Sequence, residues 1–580
     1  MTRLLRLVLP LFACLILVGC VSTPSTGPIE YADSIVRGDK DSAYGVGGSP
    51  QLFPDMGDYT RPVTTTNKTA QRYFDQGLKF IYGFNHDEAV RSFTAATQFD
   101  PRCAMAWWGI AYAQGPNYNA SRMNDAREAA AWDAIQRALA ELDDETPVEQ
   151  ALIKATAKRY SEPVVLDESL SEQDKRKALA ENNKTKGERK TNFANAMAHV
   201  LKEHPGDPDV AALYADAMMV KNPWRLHKSD GTAQRDETHA IIGILEHARS
   251  IEPDHPGANH LYIHAVEASS DKMRGVPAAD SLSTAVPIAG HLVHMPSHLY
   301  VQVGMWDRAV EQNLLAIEAD RRYLELSPAQ YRIHGYAAHN GHMLAFAGMM
   351  SGRERDAMRG AMHGWETIPQ AIMESMGKRY DRALCSKFDV MKRFGRWDAI
   401  LAEEAPPEML SRTTAVWRTC RAVAYAAKKD FEKAEIEHAE FKKLLEKRKG
   451  DSFLQLNDKF IAAEIALHKE DWNTAIKLLE EAAVLEDKAR YTEPPTYLQP
   501  IRHTLGAVYF RAERYADAER VYREDLEKWP GNGWSLYGLA HSLNRQGKTG
   551  QADDAFAAYE AAWKNADNPL RTTCECIPNL

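Results

Sequence analysis

Histidine is the side chain whose neutral ring offers a lone pair to a metal ion, or accepts a proton, near neutral pH. This sequence concentrates it. Of twenty histidines, nine lie between residues 255 and 342: His255, His260, His264, His291, His294, His298, His334, His339 and His342. They occupy the strings NHLYIHAVE, HLVHMPSHLY and HGYAAHNGH. His260 and His264 are one helical turn apart, so on a helix they share a face and can jointly hold one ion. Glu267 extends that stripe as a candidate carboxylate ligand or base. Imidazole nitrogen suits Zn, Cu, Fe or Ni, and His260, His264, His294 and His298 are the candidate metal ligands, with Zn or Cu as the ion. Seven methionines follow: Met343, Met349, Met350, Met358, Met362, Met373 and Met376. As thioether ligands they would tilt the choice toward copper, whereas a methionine run at helical spacing is ordinarily adaptable core packing.

Other reactive patterns are sparse. His-Glu-x-x-His is absent, and so are the phosphate-binding loop, the serine elbow and the dinucleotide fingerprint. No single histidine stands out as a general base, so no catalytic residue is assigned and binding is expected rather than catalysis. Cys103, Cys385, Cys420, Cys574 and Cys576 are too dispersed for a disulfide framework. The Cys574-x-Cys576 pair is open to three readings: incidental thiols in a tail, a local disulfide, or a soft-metal site. Asn117, Tyr118 and Asn119, in GPNYN, read first as a turn after a helix.

The elements that must position the histidines follow from a self-similarity of about 34 residues. Leu505, Gly506 and Tyr509, then Ala518, Tyr522 and Pro530, form the clearest copy. Leu539, Ala540, Leu543, Ala552 and Phe556 follow in tandem. Gly77, Phe80, Ala89, Phe93, Ala96 and Pro101 keep the same register near the start, and Trp108, Gly109 and Tyr112 open the next copy. Weaker copies centre on Ala434, on Trp472 with Ala475, and on Trp306 with Ala309. This pattern resembles the tetratricopeptide repeat. The resemblance implies an all-α solenoid of helical hairpins, in which each unit contacts mainly its neighbours and the first helix of each lines a concave groove. It also implies that the groove binds a peptide or protein partner.

In that register His260 and His264 take the fifth and ninth places of one first helix. His291, His294 and His298 take the second, fifth and ninth of another, and His339 and His342 the second and fifth of a third. The groove set is therefore His260, His264, Glu267, His291, His294, His298, His339 and His342. Pro296 would break an interior helix, which weakens the inward placement of His291 and His294. Three uses stay open: contact with a groove partner, a bound metal, and structural hydrogen bonding.

Residues 1–20 read MTRLLRLVLPLFACLILVGC. Arg3 and Arg6 precede an apolar run, Leu7 to Leu17, that is too short to span a bilayer. Leu17-Val18-Gly19-Cys20 resembles the bacterial lipobox, which implies cleavage before Cys20, diacylglyceryl attachment to its thiol and anchoring in the cell envelope, in the outer membrane. The expected organisation is a signal peptide at 1–19, lipidated Cys20 and a flexible tether over 20–65, repeats with insertions and the histidine groove over 66–350, further repeats over 351–567, and a tail over 568–580. The charged stretch 161–192 is expected as a solvated loop or surface helix. The formal net charge is −9, and losing Arg3 and Arg6 takes it to about −11. Such a balance argues against nucleic acid as a partner.

Overall fold

Glycines set opposite aromatic rings decide how these helices pair. A Cβ on Gly77 would lie 2.8 Å from the Phe93 ring, and one on Gly109 2.5 Å from the same ring. Phe93 therefore fills the seam between the helices Lys68–Tyr82, His86–Phe99 and Ala104–Gln114. The arrangement recurs far along the chain. Tyr522, on Tyr515–Lys528, sits between Gly506 of Ile501–Arg511 and Gly538 of Gly533–Arg545, where added Cβ atoms would approach to 2.4 and 2.2 Å. Asn67, Asn85, Asp430, Asp471 and Asn532 cap their helices by accepting backbone N–H bonds, which satisfies donors a helix start leaves free.

The computed structural model describes residues 50–163, 169, 171–327 and 333–577. Across them the fold is an all-α solenoid of helical hairpins, as the repeat pattern implies. The isolated bridge His227–Ala233 is the extended pairing among the described residues. None of the described helices is long and apolar enough to cross a membrane. The signal segment, Cys20 and the tether up to residue 49 lie outside the described residues. The charged insertion ends in the helix Glu172–Glu203.

Three expectations are corrected. The first concerns the tether, because residues 50–65 do not hang free. Phe53 stacks on Tyr323 at 5.4 Å between ring centroids and meets Phe80 edge-on. Arg61 pairs with Asp207 at 2.9 Å and Asp209 at 2.5 Å. Asp209 also accepts bonds from the Tyr59 and Tyr82 hydroxyls and faces His255 Nε2 at 3.1 Å. Burial alone would raise the Asp209 carboxyl, but His255 and Arg61 hold it far below the usual carboxylate range. The segment's aromatic and charged side chains find buried partners, so it folds against the helices as a strap.

The second is the tail. Thr573 bonds the His503 carbonyl at 2.9 Å and the Tyr522 hydroxyl at 2.7 Å, and Cys574 and Cys576 are buried and joined by a disulfide. Of the three readings of this pair the structure takes the local disulfide, although with Glu464 the two cysteines also form a group of metal-ligand type; Cys103, Cys385 and Cys420 are buried free thiols. The third is the nearest-neighbour rule. Trp306 Nε1 donates to the Pro530 carbonyl at 2.8 Å, and Trp534 Nε1 to the Met349 carbonyl at 2.8 Å. Gly352, at φ 73°, turns where any side chain would strike Trp563 at 2.2 Å. The last units thus lean on the middle ones.

Two stability tests follow. Gly506→Ala should cost about 1–3 kcal/mol through overpacking against Tyr522. Gly187→Ala, in a helix with no atom within 4 Å of the added carbon, should be neutral or stabilising by up to ~1 kcal/mol. Urea denaturation of both variants reads the difference. Arg61→Met strands a buried carboxylate and should cost about 3–5 kcal/mol. Because the Asp209 pKa is depressed in the folded state, its contribution is complete above about pH 4 and is lost as pH falls further. Acid unfolding of Arg61→Met should therefore begin at higher pH than in the parent, as followed by circular dichroism.

Candidate metal centre

Three elements converge on the histidines. The helix Pro256–Val266 starts at His255, whose Nδ1 accepts the Ala258 N–H at 3.0 Å, with Pro256 in the first turn where its missing N–H is harmless. Every residue of this helix is buried, so its polar side chains cannot turn to bulk water. Pro296 does break the chain into two short helices, Gly290–His294 and Pro296–Gln302, joined at Met295. The break does not expel the preceding histidines, because His291 and His294 remain buried. The third element is Ile333–Ser351, which carries His334, His339 and His342.

The rings form one continuous cluster. Centroid separations are 4.9 Å for His260–His264, 5.0 Å for His260–His291, 5.7 Å for His291–His294, 4.6 Å for His294–His298 and 4.7 Å for His294–His339. Two triads have ligand nitrogens that all lie within 4.8 Å of one another: His260, His264 and His291, and then His294, His298 and His339. Nitrogens around one ion at metal–nitrogen distances of about 2.0–2.1 Å are closer than that limit, so ring rotations complete either set.

Most of these rings have one nitrogen fixed and the other turned inward. His260 Nδ1 bonds the Tyr82 carbonyl at 2.6 Å, His264 Nδ1 bonds Glu267 Oε1 at 2.9 Å, His298 Nδ1 bonds Glu267 Oε2 at 2.6 Å, and His294 Nδ1 meets Asn313 Oδ1 at 3.0 Å. The Nε2 atoms of His260 and His264, and both nitrogens of His291, are buried without a hydrogen-bond partner. His294 and His298 point their Nε2 atoms at each other, 2.8 Å apart. A buried polar atom left unpaired costs about 1–3 kcal/mol, and several share one spot here.

Burial, with the repulsion that neighbouring protonated rings would exert, pushes His260, His291, His294 and His339 well below the usual imidazole range. Burial lowers His298 too, against the pull of Glu267. The rings are thus held neutral, with lone pairs free to coordinate. The Glu267 carboxyl is held below its usual range, because the attraction of His264 and His298, with their Nδ1 contacts, outweighs its burial. It therefore orients two imidazoles, and with His264 and His298 it also forms a group whose ligand atoms lie within 4.8 Å of one another, so the carboxylate stands both as an orienting group and as a candidate ligand.

The cluster forms the floor of a cleft of about 1110 Å³. His264, Glu267, His291, His298 and His339 line it, while His260 and His294 lie behind them. This is deeper than the open concave surface that the repeat register implies, because later segments roof the helices. Tyr118 and Trp224 stack at 5.0 Å and both rings abut His264; Arg382, Tyr491 and Glu493 stand on the far wall. His342 is buried but outside both triads, with Arg382 and Arg412 as its charged neighbours. His334 is also outside them, lowered to about 4 by burial. Met343, Met349 and Met350 are core residues.

Trp224, on the cleft wall, sits at φ 60° beside His264, a left-handed backbone uncommon at a bulky residue. Phe84, its ring 4.4 Å from His260, sits at φ 55° in the same turn between hairpin helices that Lys429, Glu470 and Glu513 adopt. Neither position carries a sequence signal. Tyr118 was legible only as part of a turn, and Asn313 and Tyr336 were not singled out at all. Tyr336 packs on His291 at 4.3 Å, and a more telling clue was its place inside HGYAAHNGH.

No protein-family model matches the chain, and no curated protein matches it. Among solved structures, the human IFIT1 dimer with m7Gppp-AAAA is similar at 14% identity and a TM-score of 0.28, over 94% of this chain and 96% of that one. The APC/C hetero-tetramer Cut9-Hcn1 is similar at 12% identity and a TM-score of 0.28, over 87% of this chain and 76% of that one. Likenesses this distant leave both fold and site to be read from the chain's own packing.

Proposed function

We propose that this protein is a lipid-anchored helical-repeat protein of the cell envelope that binds transition-metal ions at the floor of its cleft, where a ligand or partner reaches them. The observation that carries the metal reading is the set of oriented, buried imidazoles in which Nε2 of His260 and His264 and both nitrogens of His291 have no hydrogen-bond partner, while His294 and His298 turn their Nε2 atoms on each other. A groove that only gripped a peptide or protein would place its histidines on the surface, where water satisfies them. The anchor rests on the lipobox resemblance at Cys20.

The test uses chain beginning at residue 21, without a histidine tag. Elemental analysis should find stoichiometric transition metal, either as purified or after dialysis against Zn or Cu. His260→Ala/His264→Ala/His298→Ala should lose it. Occupancy at about 100 times Kd should stabilise the fold by about 2.7 kcal/mol. Metal-free protein whose thermal transition ignores both ions would refute the reading. Glu267→Gln keeps the side chain's size but removes the charge that orients His264 and His298. Its metal affinity should fall by about 10–100-fold, as measured by competition with a chromophoric chelator.

A further inference from the structure

The metal-binding reading just proposed, on which this inference rests, leaves open how many ions enter and of what kind. We propose that the centre is dinuclear and built for a pair of copper ions, with His260, His264 and His291 holding one and His294, His298 and His339 the other.

The count comes from geometry. Six ligand rings fall into two sets of three that share no member, and a third group, His264, Glu267 and His298, bridges them. The sets abut along two edges, His264 against His298 at 5.8 Å and His291 against His294 at 5.7 Å. A single ion takes about four ligands in such sites, so one ion cannot engage all six rings. Glu267 lies across the boundary, one oxygen on a ring of each triad. It fixes the mutual position of the two sets.

The kind of ion comes from charge and ligand type. All six ligands are imidazoles, which coordinate as neutral donors. The one carboxylate touching the rings is Glu267, and the next ionisable groups, Glu493, Arg382 and Lys272, are of mixed sign. Two divalent ions would bring four positive charges into this buried site, and two monovalent ions only two. Burying uncompensated charge is costly, so the site favours the lower total. Copper is the ion for imidazole sites that is stable in the monovalent state, and it also heads the divalent affinity order. Each triad leaves its ion three-coordinate, with an open place. His264, His291, His298 and His339 all line the cleft, so a small molecule entering there meets both ions.

Anaerobic titration of the chain from residue 21 with Cu(I), read by competition with a chromophoric chelator, should give two equivalents per chain. His291→Ala and His339→Ala should each give one. One equivalent in the parent, loss of both ions in either variant, or displacement of copper by equimolar zinc would overturn the proposal while leaving the broader metal reading standing. Binding of no metal would remove both. Should either variant fail to fold, the parent alone decides. Loaded with two equivalents of Cu(II), it should show a paramagnetic resonance signal integrating to well below its copper content, because neighbouring spins couple. A signal accounting for every copper as an isolated ion would overturn the pair.

Discussion

Buried imidazole nitrogens with no hydrogen-bond partner, crowded at the floor of the cleft, are the constraint around which the middle of this protein is arranged. Each such atom costs free energy while it stays unpaired. The surrounding elements nevertheless work to keep them there: the Tyr82 carbonyl, Asn313 and both oxygens of Glu267 hold the opposite nitrogens. Pro296 splits a helix so that His291 and His294 approach from one segment and His298 from the next. Phe84 and Trp224 press their rings on His260 and His264. Orientation of this kind, maintained against local cost, is what a coordination sphere requires.

Much of the fold was legible because its rule is local. Gly506, Ala518, Tyr522 and Gly538 stand at fixed spacings, and the physical content of that spacing is one aromatic ring lying between two bare backbones. The histidine set was legible for the same reason: helical register brings His260 and His264 to one face, and the repeat brings later histidines alongside. The pairing of rings into two triads was not, since it depends on how two short helices tilt after Pro296. Glu267 was visible as a residue but not in its role, because which atoms it faces is decided by His298, from another element.

What the sequence could not disclose lies where partners are remote. Residues 50–65 carry three prolines, three threonines and a glycine in a stretch that reads as the end of a linker, yet Phe53 finds Tyr323 and Arg61 finds Asp209. The same holds for the last residues, whose Thr573 and Cys574 pack near His503 and Tyr522. Trp224, half-exposed over the cleft, belongs to an insertion with no repeat signal, and only the folded chain brings it to Tyr118.

The contacts of Trp306 with Pro530 and of Trp534 with Met349 have a consequence for how the molecule comes apart. An open array can fray, shedding terminal hairpins one at a time, since each is held by a single neighbour. Here the final hairpins are braced against the centre of the chain, so peeling one exposes buried indoles on both sides of a distant seam. Opening becomes cooperative, and the intermediate states through which a linear array breathes are suppressed. Traffic to and from the cleft floor must then pass through its mouth, because the walls do not part separately.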